Sequence, residues 1–300
     1  MERRQFIRTS ALSIGALAFL KPDIFGKDFF VDPWKIRMLR NDVGIFTERG
    51  GTIGFLVNKK GIVVVDSQFP DTSAHLLAEL KKKEKAFKYL INTHHHGDHS
   101  SGNITFKGIA EHVVGHTNCL ANQRRVAESQ NSVDKQLFAD ITFTESWKGK
   151  VGNEKIKTYY FGAAHTNGDA IIHFQHANIA HMGDLVFNRR YPVIDRSAGA
   201  NIKNWITVLE ISLNTFDDQT IFIFGHAFDP GKVTGDKSDL RAFQNYLSKL
   251  LEFVQSEITA GKTKEEILTA KAIPGAPEWQ GMGIEKSIQA AWEELTTGVK

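Results

Sequence analysis

Residues 93–102 read Thr93-His94-His95-His96-Gly97-Asp98-His99-Ser100-Ser101-Gly102, with four histidines and a carboxylate in the six positions from His94 to His99. The segment ahead of them, Phe87-Lys88-Tyr89-Leu90-Ile91-Asn92, predicts a buried strand feeding a loop. Imidazole and carboxylate are the ligand types that zinc, iron and manganese accept at neutral pH. A stray polyhistidine tract would not interleave glycine and aspartate at these places. His94 and His96 are two apart, so in an extended segment their rings leave the same side and can grip one ion. Asp98 and His99 follow Gly97, where the chain turns freely, and can address a second ion nearby.

The pattern His-x-His-x-Asp-His resembles the signature of the metallo-β-lactamase superfamily. That resemblance asks for further ligands downstream, each at a strand end. His165 lies in Gly162-Ala163-Ala164-His165-Thr166-Asn167-Gly168-Asp169, after the alternating Ile156–Phe161. Asp184 lies in His181-Met182-Gly183-Asp184-Leu185-Val186-Phe187, after the apolar run from Ile179. His226 closes the near-continuous apolar stretch Phe222-Ile223-Phe224-Gly225-His226. The resemblance implies that His94, His96 and His165 hold a first ion, that Asp98, His99 and His226 hold a second, and that Asp184 bridges the two. It implies two zinc ions, with iron or manganese as substitutes, and leaves His95 as the non-ligand position. His75, His112, His116, His173, His176 and His181 match no position and read as ordinary surface or core histidines.

Composition bounds the rest. Hydrophobic content of 41% with 24% charged residues describes a soluble globular chain. The net charge of +3 comes with no basic cluster long enough for nucleic acid. The densest run, Lys81-Lys82-Lys83-Glu84-Lys85, ends a predicted helix, where cations suit the helix dipole. The single cysteine, Cys119, can form no internal disulfide. A small-molecule substrate is therefore the expected partner, with oligomeric state left open.

The first 28 residues read as an export signal. Arg3-Arg4 and Phe6 precede the short apolar run Ala11–Leu20, which is too short to span a bilayer. The paired arginines resemble a twin-arginine signal, a route that exports folded proteins. A periplasmic or secreted location without a lasting membrane anchor is expected.

Consecutive strands are predicted from Trp34 to Asp66, with a turn at Asn58–Gly61 and a helix through Lys83 capped by Asp71 or Thr72. Further helices are predicted over His116–Glu128, from Asn201 or Asn204 to Thr215, and over Ser238–Ile258, Lys264–Ala270 and Ile284–Leu295. Strands fill 140–182, and another ends at His226. Meanders interleaved with helices suit an α/β sandwich. The resemblance implies an αββα four-layer sandwich over residues 29–235, followed by a C-terminal helical extension, 236–300.

Two divalent ions bring four positive charges, which Asp98, Asp184 and a bridging hydroxide reduce to about one. Such a centre supplies a metal-bound hydroxide and polarises a carbonyl or phosphoryl oxygen. Asp98 can then orient the water and shuttle its proton. Asp66, at the end of Ile62-Val63-Val64-Val65, and Thr93 are candidates to steady the histidine loop. Arg49-Gly50-Gly51-Thr52 can form a flap. Arg189, Arg190 and Asn167 are candidate substrate contacts.

Fold does not give substrate. Class B1 β-lactamases carry cysteine where this chain has Asp184, and lysine where it has Phe187. The aspartate is similar to the glyoxalase II side of the superfamily. The leading expectation is an exported dinuclear zinc hydrolase of a small ester, thioester, lactone or amide. The alternatives are a periplasmic class B-like β-lactamase, a mononuclear-iron oxidoreductase similar to the persulfide dioxygenases, and a non-catalytic metal-stabilised binding protein.

Overall fold

The computed structural model describes residues 34–297. The export-signal segment, 1–28, lies outside the described residues.

The apolar runs after Trp34 become strands laid side by side in chain order: β1 (Lys35–Arg40), β2 (Val43–Thr47), β3 (Ile53–Asn58), β4 (Gly61–Val65), β5 (Phe87–Ile91), β6 (Ala110–His116) and β7 (Ile141–Phe143). β2, β3 and β4 pair antiparallel. From β4 onward the pairing is parallel, because each return to the sheet passes through helical segments. These are α1 (Pro70–Lys81), then the histidine loop with α2 (Gly97–Ser100), then α3 (Thr117–Ser129).

The second sheet holds β8 (Lys148–Val151), β9 (Glu154–Tyr159), β10 (Ile171–Phe174), β11 (Ile179–His181), β13 (Ile221–Ile223) and β15 (Thr234–Gly235). Their order is β15-β13-β11-β10-β9-β8, with β11 and β13 parallel. Beside it, β12 (Phe187–Asn188) pairs in parallel with β14 (His226–Ala227). The remaining helices are α4 (Ile202–Thr215), α5 (Lys237–Thr259), α6 (Lys264–Ile267) and α7 (Ile284–Thr297).

Alternation along the strands explains the layers. Val63, Val65, Ile91 and Val114 of the first sheet share a core with Ile156, Ile172, Phe174 and Ile179 of the second. Their neighbours Ile62, Val64 and Leu90 point the other way and are equally buried. The centre of the first sheet is therefore covered on both faces, as parallel strands require, while β1 at its edge is largely exposed. On the second sheet's outer face, Ala180 and Phe222 meet Trp205, Val208 and Leu209 of α4. Leu240, Phe243, Tyr246 and Leu250 of α5 and Ile288 and Ala291 of α7 join the same cluster. The chain is thus an α/β sandwich in which the C-terminal helices furnish much of one outer layer.

Some predicted boundaries move. α1 is capped by Phe69, not by Asp71 or Thr72, because Pro70 occupies the first helical position, where its missing N–H costs nothing. Thr72 instead returns its hydroxyl to the cap, accepting from Phe69 N at 3.2 Å. Asn201 is the cap of α4 and accepts from Asn204 N. The strand expected to end at His226 stops at Ile223, and His226 opens β14. The break falls at Gly225, whose N–H turns to Gly183 O at 2.7 Å.

Candidate metal centre

Parallel strands deliver their following loops to one edge, and here both sheets do so at the same place. Asp66, directly after β4, donates its N–H to Ile91 O of β5 at 2.8 Å. That register sets Asp66 beside Thr93, whose N–H and hydroxyl both donate to its carboxylate, each at 2.7 Å. Asp66 has a positive φ of 63°, unusual away from glycine, and is fully buried. The strained backbone is held because its carboxylate also accepts from His99 Nδ1 at 2.8 Å. In the second sheet, Asp184 follows β11 and His226 follows its parallel neighbour β13. Ala170 N donates to Thr93 O, and Thr52 N to Gly225 O, tying the two loop sets together.

The seven predicted ligands come together in two groups whose donor atoms all lie within 4.8 Å of one another: His94, His96, His165 and Asp184, then Asp98, His99 and His226. Asp184 faces both groups. Its Oδ2 lies 3.5 Å from His165 Nε2 and 3.8 Å from His94 Nε2, while His99 Nε2 is 3.1 Å from its Oδ1. His226 Nε2 stands 3.1 Å from Asp98 Oδ2 and 3.6 Å from Asp184 Oδ2.

Whether these groups suit a metal follows from the rings' other nitrogens. A carbonyl only accepts, so His165 Nδ1, 2.8 Å from Val193 O, carries the proton and leaves Nε2 a bare lone pair. His96 Nε2 donates to Asp195 Oδ2 at 3.0 Å, which bares His96 Nδ1. The Thr93 hydroxyl gives its proton to Asp66, so it accepts from His94 Nδ1 at 3.0 Å and bares His94 Nε2. His99 Nδ1 donates to Asp66, baring its Nε2. Two bared atoms then confront each other, His165 Nε2 lying 3.0 Å from His96 Nδ1, while the bared His99 Nε2 lies 3.3 Å from His226 Nε2. His94 Nε2 is buried with no hydrogen-bond partner. Lone pairs aimed at each other in a buried site repel unless a cation lies between them. The donor set fits divalent ions with imidazole and carboxylate ligands.

Electrostatics makes the same demand. Burial, then the neighbouring His99, holds His94 well below the usual histidine range. Burial with His96 nearby pushes His165 down to about 4, so both rings stay neutral, as metal ligands must. Burial works against a charge on His99 as well, but Asp184, Asp98 and Asp66 overwhelm it and raise that ring well above its ordinary value. Asp184 is likewise drawn far below the carboxylate range, against burial, by His226, His99 and His94. Burial also opposes ionisation of Asp98, yet His99 and the hydrogen bond from His226 lower it.

Two glycines let this packing close. A Cβ on Gly51 would overlap the His99 ring, and one on Gly225 would overlap Asp184 Oδ1. Gly51 also donates its N–H to Asp98 O at 3.0 Å, which seats the predicted flap on the second group. Arg49 on that flap pairs with Asp71 at 2.6 Å and lies over Phe69.

The predicted substrate contacts are placed differently. Arg189 sits over the Trp279 ring, 5.0 Å from its centroid, and 3.7 Å from Asp239, directed at the C-terminal segment. Arg190 is exposed and bridges Gln280 through its backbone. Asn167 spends its Oδ1 on Asn122 Nδ2 at 2.8 Å and its carbonyl on Asn118 and Tyr160, which fixes the loop after His165.

Asp195 is the functional residue that sequence reasoning missed. Its carboxylate orients His96 and accepts from Ser197 Oγ and Ala198 N. The Asp-x-Ser turn pattern was the available signal, but its partner lies 99 residues away. His95, the non-ligand position, is buried, and its Nε2 lies 3.7 Å from Asp195 Oδ2. Burial and His96 push its ring down to about 3.

Comparison with known proteins agrees with this picture. A model of the metallo-beta-lactamase superfamily matches residues 46–246. The chain is 29% identical to "Metallo-beta-lactamase type 2" of Bacillus cereus over 64% of its own length and 75% of that protein's. It is 26% identical to a Schizosaccharomyces pombe protein described as "Probable hydroxyacylglutathione hydrolase", over 63% and 69% of the two lengths. Among solved structures, a stereoselective inverting sec-alkylsulfatase from Pseudomonas sp. superposes with a TM-score of 0.66 at 13% identity. That match covers 87% of this chain, which spans half of the alkylsulfatase.

Proposed function

The chain belongs to the metallo-beta-lactamase superfamily, and from that premise we propose that it is an exported hydrolase working with two divalent ions, zinc in the first instance. The observation that carries this reading is the convergence of bare imidazole nitrogens and the Asp184 carboxylate on two adjacent points. With divalent ions held there by His94, His96, His165, Asp98, His99, His226 and Asp184, the site would offer an activated water near neutral pH and a Lewis acid for the scissile carbonyl.

This chain's residues do the rest. Asp66 and Thr93 fix the tautomers of His99 and His94. Asp98 is the member most open to solvent, with 30% of its side chain exposed, and so is the group that can accept a proton from water and pass it to a leaving group. No serine or cysteine nucleophile is needed. Burial pushes the Cys119 thiol well up, away from reactivity. The paired Arg3-Arg4 ahead of an apolar run supports export in the folded state.

The substrate class we favour is a small ester, thioester, lactone or amide, because the bridging position holds Asp184. A β-lactamase is the second reading, favoured by the 29% identity to the Bacillus cereus enzyme. Phe187, in place of a lysine for the drug carboxylate, weighs against it. A screen of zinc-loaded protein against nitrocefin, a carbapenem, a thioester and a lactone decides between them. Turnover of the thioester or lactone well above the β-lactams, falling sharply in Asp98→Asn, supports the first reading. Carbapenem hydrolysis as the dominant activity replaces it with the second. No turnover in any metal form contradicts both.

A further inference from the structure

The C-terminal helix α7 lies outside the matched superfamily region, yet it carries a buried carboxylate bonded to the residue after Asp195 and to the start of α4. Glu294 is 2% exposed. A carboxylate in that position is costly unless its oxygens are fully engaged. Its Oε2 accepts from Ile202 N at 2.8 Å and from Arg196 Nη1 at 3.0 Å, and its Oε1 accepts from Lys203 N at 2.9 Å. The two backbone donors are first-turn N–H groups of α4 that have no partner inside that helix. Arg196 in turn donates to Ala200 O at 2.6 Å, closing the loop that runs into α4.

Arg196 directly follows Asp195, whose carboxylate orients His96. The same loop donates Asp195 N–H to His165 O at 3.2 Å, and its Val193 O accepts from His165 Nδ1. At its upstream end, the buried Ser287 of α7 donates to Pro192 O at 3.0 Å. Gln280 exchanges backbone hydrogen bonds with Arg189 and Tyr191. The loop 189–200 that sets the rings of His96 and His165 is therefore gripped from the C-terminal segment at both ends. His99 and His226 receive nothing from it.

We propose that Glu294 is a positioning residue for the first metal group, acting through Arg196 and Asp195 on His96 and through the loop on His165. The inference rests on the reading that His94, His96 and His165 hold an ion. It predicts a selective effect, in which one ion is weakened and the other spared, and a general loss of stability would not produce that.

The test is a chelator-competition titration of the full chain with zinc, repeated with cobalt for its ligand-field bands. Glu294→Gln is compared with wild type and with Leu250→Ala, which opens a cavity in the same helical core and removes no hydrogen bond to the loop. Wild type binds two ions. In Glu294→Gln one of them weakens by about 10- to 100-fold, the range for loss of an outer hydrogen-bond partner, while the other stays within about twofold. Leu250→Ala lowers the melting temperature at least as far and leaves both affinities in place. If Glu294→Gln fails to fold, Arg196→Gln cuts the same link without uncapping α4 and carries the same expectation. Unchanged affinities in the glutamine variants, or an equal weakening in Leu250→Ala, overturns the proposal. A wild-type chain whose zinc binding is indifferent to His94→Ala overturns the parent reading, and the inference with it.

Discussion

The two halves of the candidate centre are built by different means. In the first, three rings are aimed by a hydroxyl, a carbonyl and one carboxylate: Thr93, Val193 and Asp195. In the second, His99 sits among three carboxylates, Asp66, Asp98 and Asp184, with Gly51 packed against the ring. The first half is organised chiefly by hydrogen-bond direction and depends on a loop held from far along the chain. The second is organised chiefly by charge and draws Asp98 and His99 from the first sheet's loops and His226 from the second's. Geometry should therefore govern the first ion and electrostatics the second, with Asp184 as the point where they meet.

Asp184→Ala breaks the comparison outright, since it removes the carboxylate that faces both groups. Both ions should be lost or much weakened, and kcat/KM on the best substrate should fall by roughly three orders of magnitude, about 4 kcal/mol of transition-state stabilisation. Steady-state kinetics with parallel metal analysis checks this.

His165→Ala and His99→Ala separate the halves. Each should cost one ion and leave the other near wild-type affinity, as read by zinc titration. Loss of both ions in each variant would mean that the halves form a single cooperative site.

Asp66→Asn sharpens the charge side. Asparagine tolerates the positive φ at this position, so the fold should persist. The second ion should weaken by about 10- to 100-fold, and the first by less, through Thr93 and His94.

Acidity probes the same difference. Against burial, His99 is raised by Asp184, Asp98 and Asp66, and His96 by Asp195 and Asp184, so at both rings protons compete with metal for the free nitrogen. Metal binding must release those protons, so affinity should fall as pH falls, most steeply at the second half. In the chelated protein the sign reverses. A raised folded-state pKa on His99 contributes stability that is complete below 6.5 and is lost as pH rises through the raised value. Melting temperatures in chelator should therefore decline with rising pH over that window, and those of the loaded protein should not.

How much of this was legible in the sequence depended on distance along the chain. The run His94 to His99 announces itself, because its ligands are neighbours and their spacing has chemical meaning. His165, Asp184 and His226 were legible only through the expectation that ligands follow strands, and strand ends are visible in apolar runs. The sandwich followed from the same runs. Asp195 and Glu294 were not legible, because their partners lie 99 and 98 residues away and nothing local points to so distant a bond. Arg189 was read as a substrate contact because it follows Asp184, and its stacking on Trp279, 90 residues on, was not visible in the sequence. The cap of α1 was missed because proline at the first helical position outranked the polar residues after it.

Whether Asp184 joins two ions is read from metal content by mass spectrometry on protein purified without added metal, beside Asp184→Ala. About two zinc ions per chain, with a clear fall in the variant, are expected. One ion per chain, unchanged when Asp184 is removed, would contradict the two-ion centre.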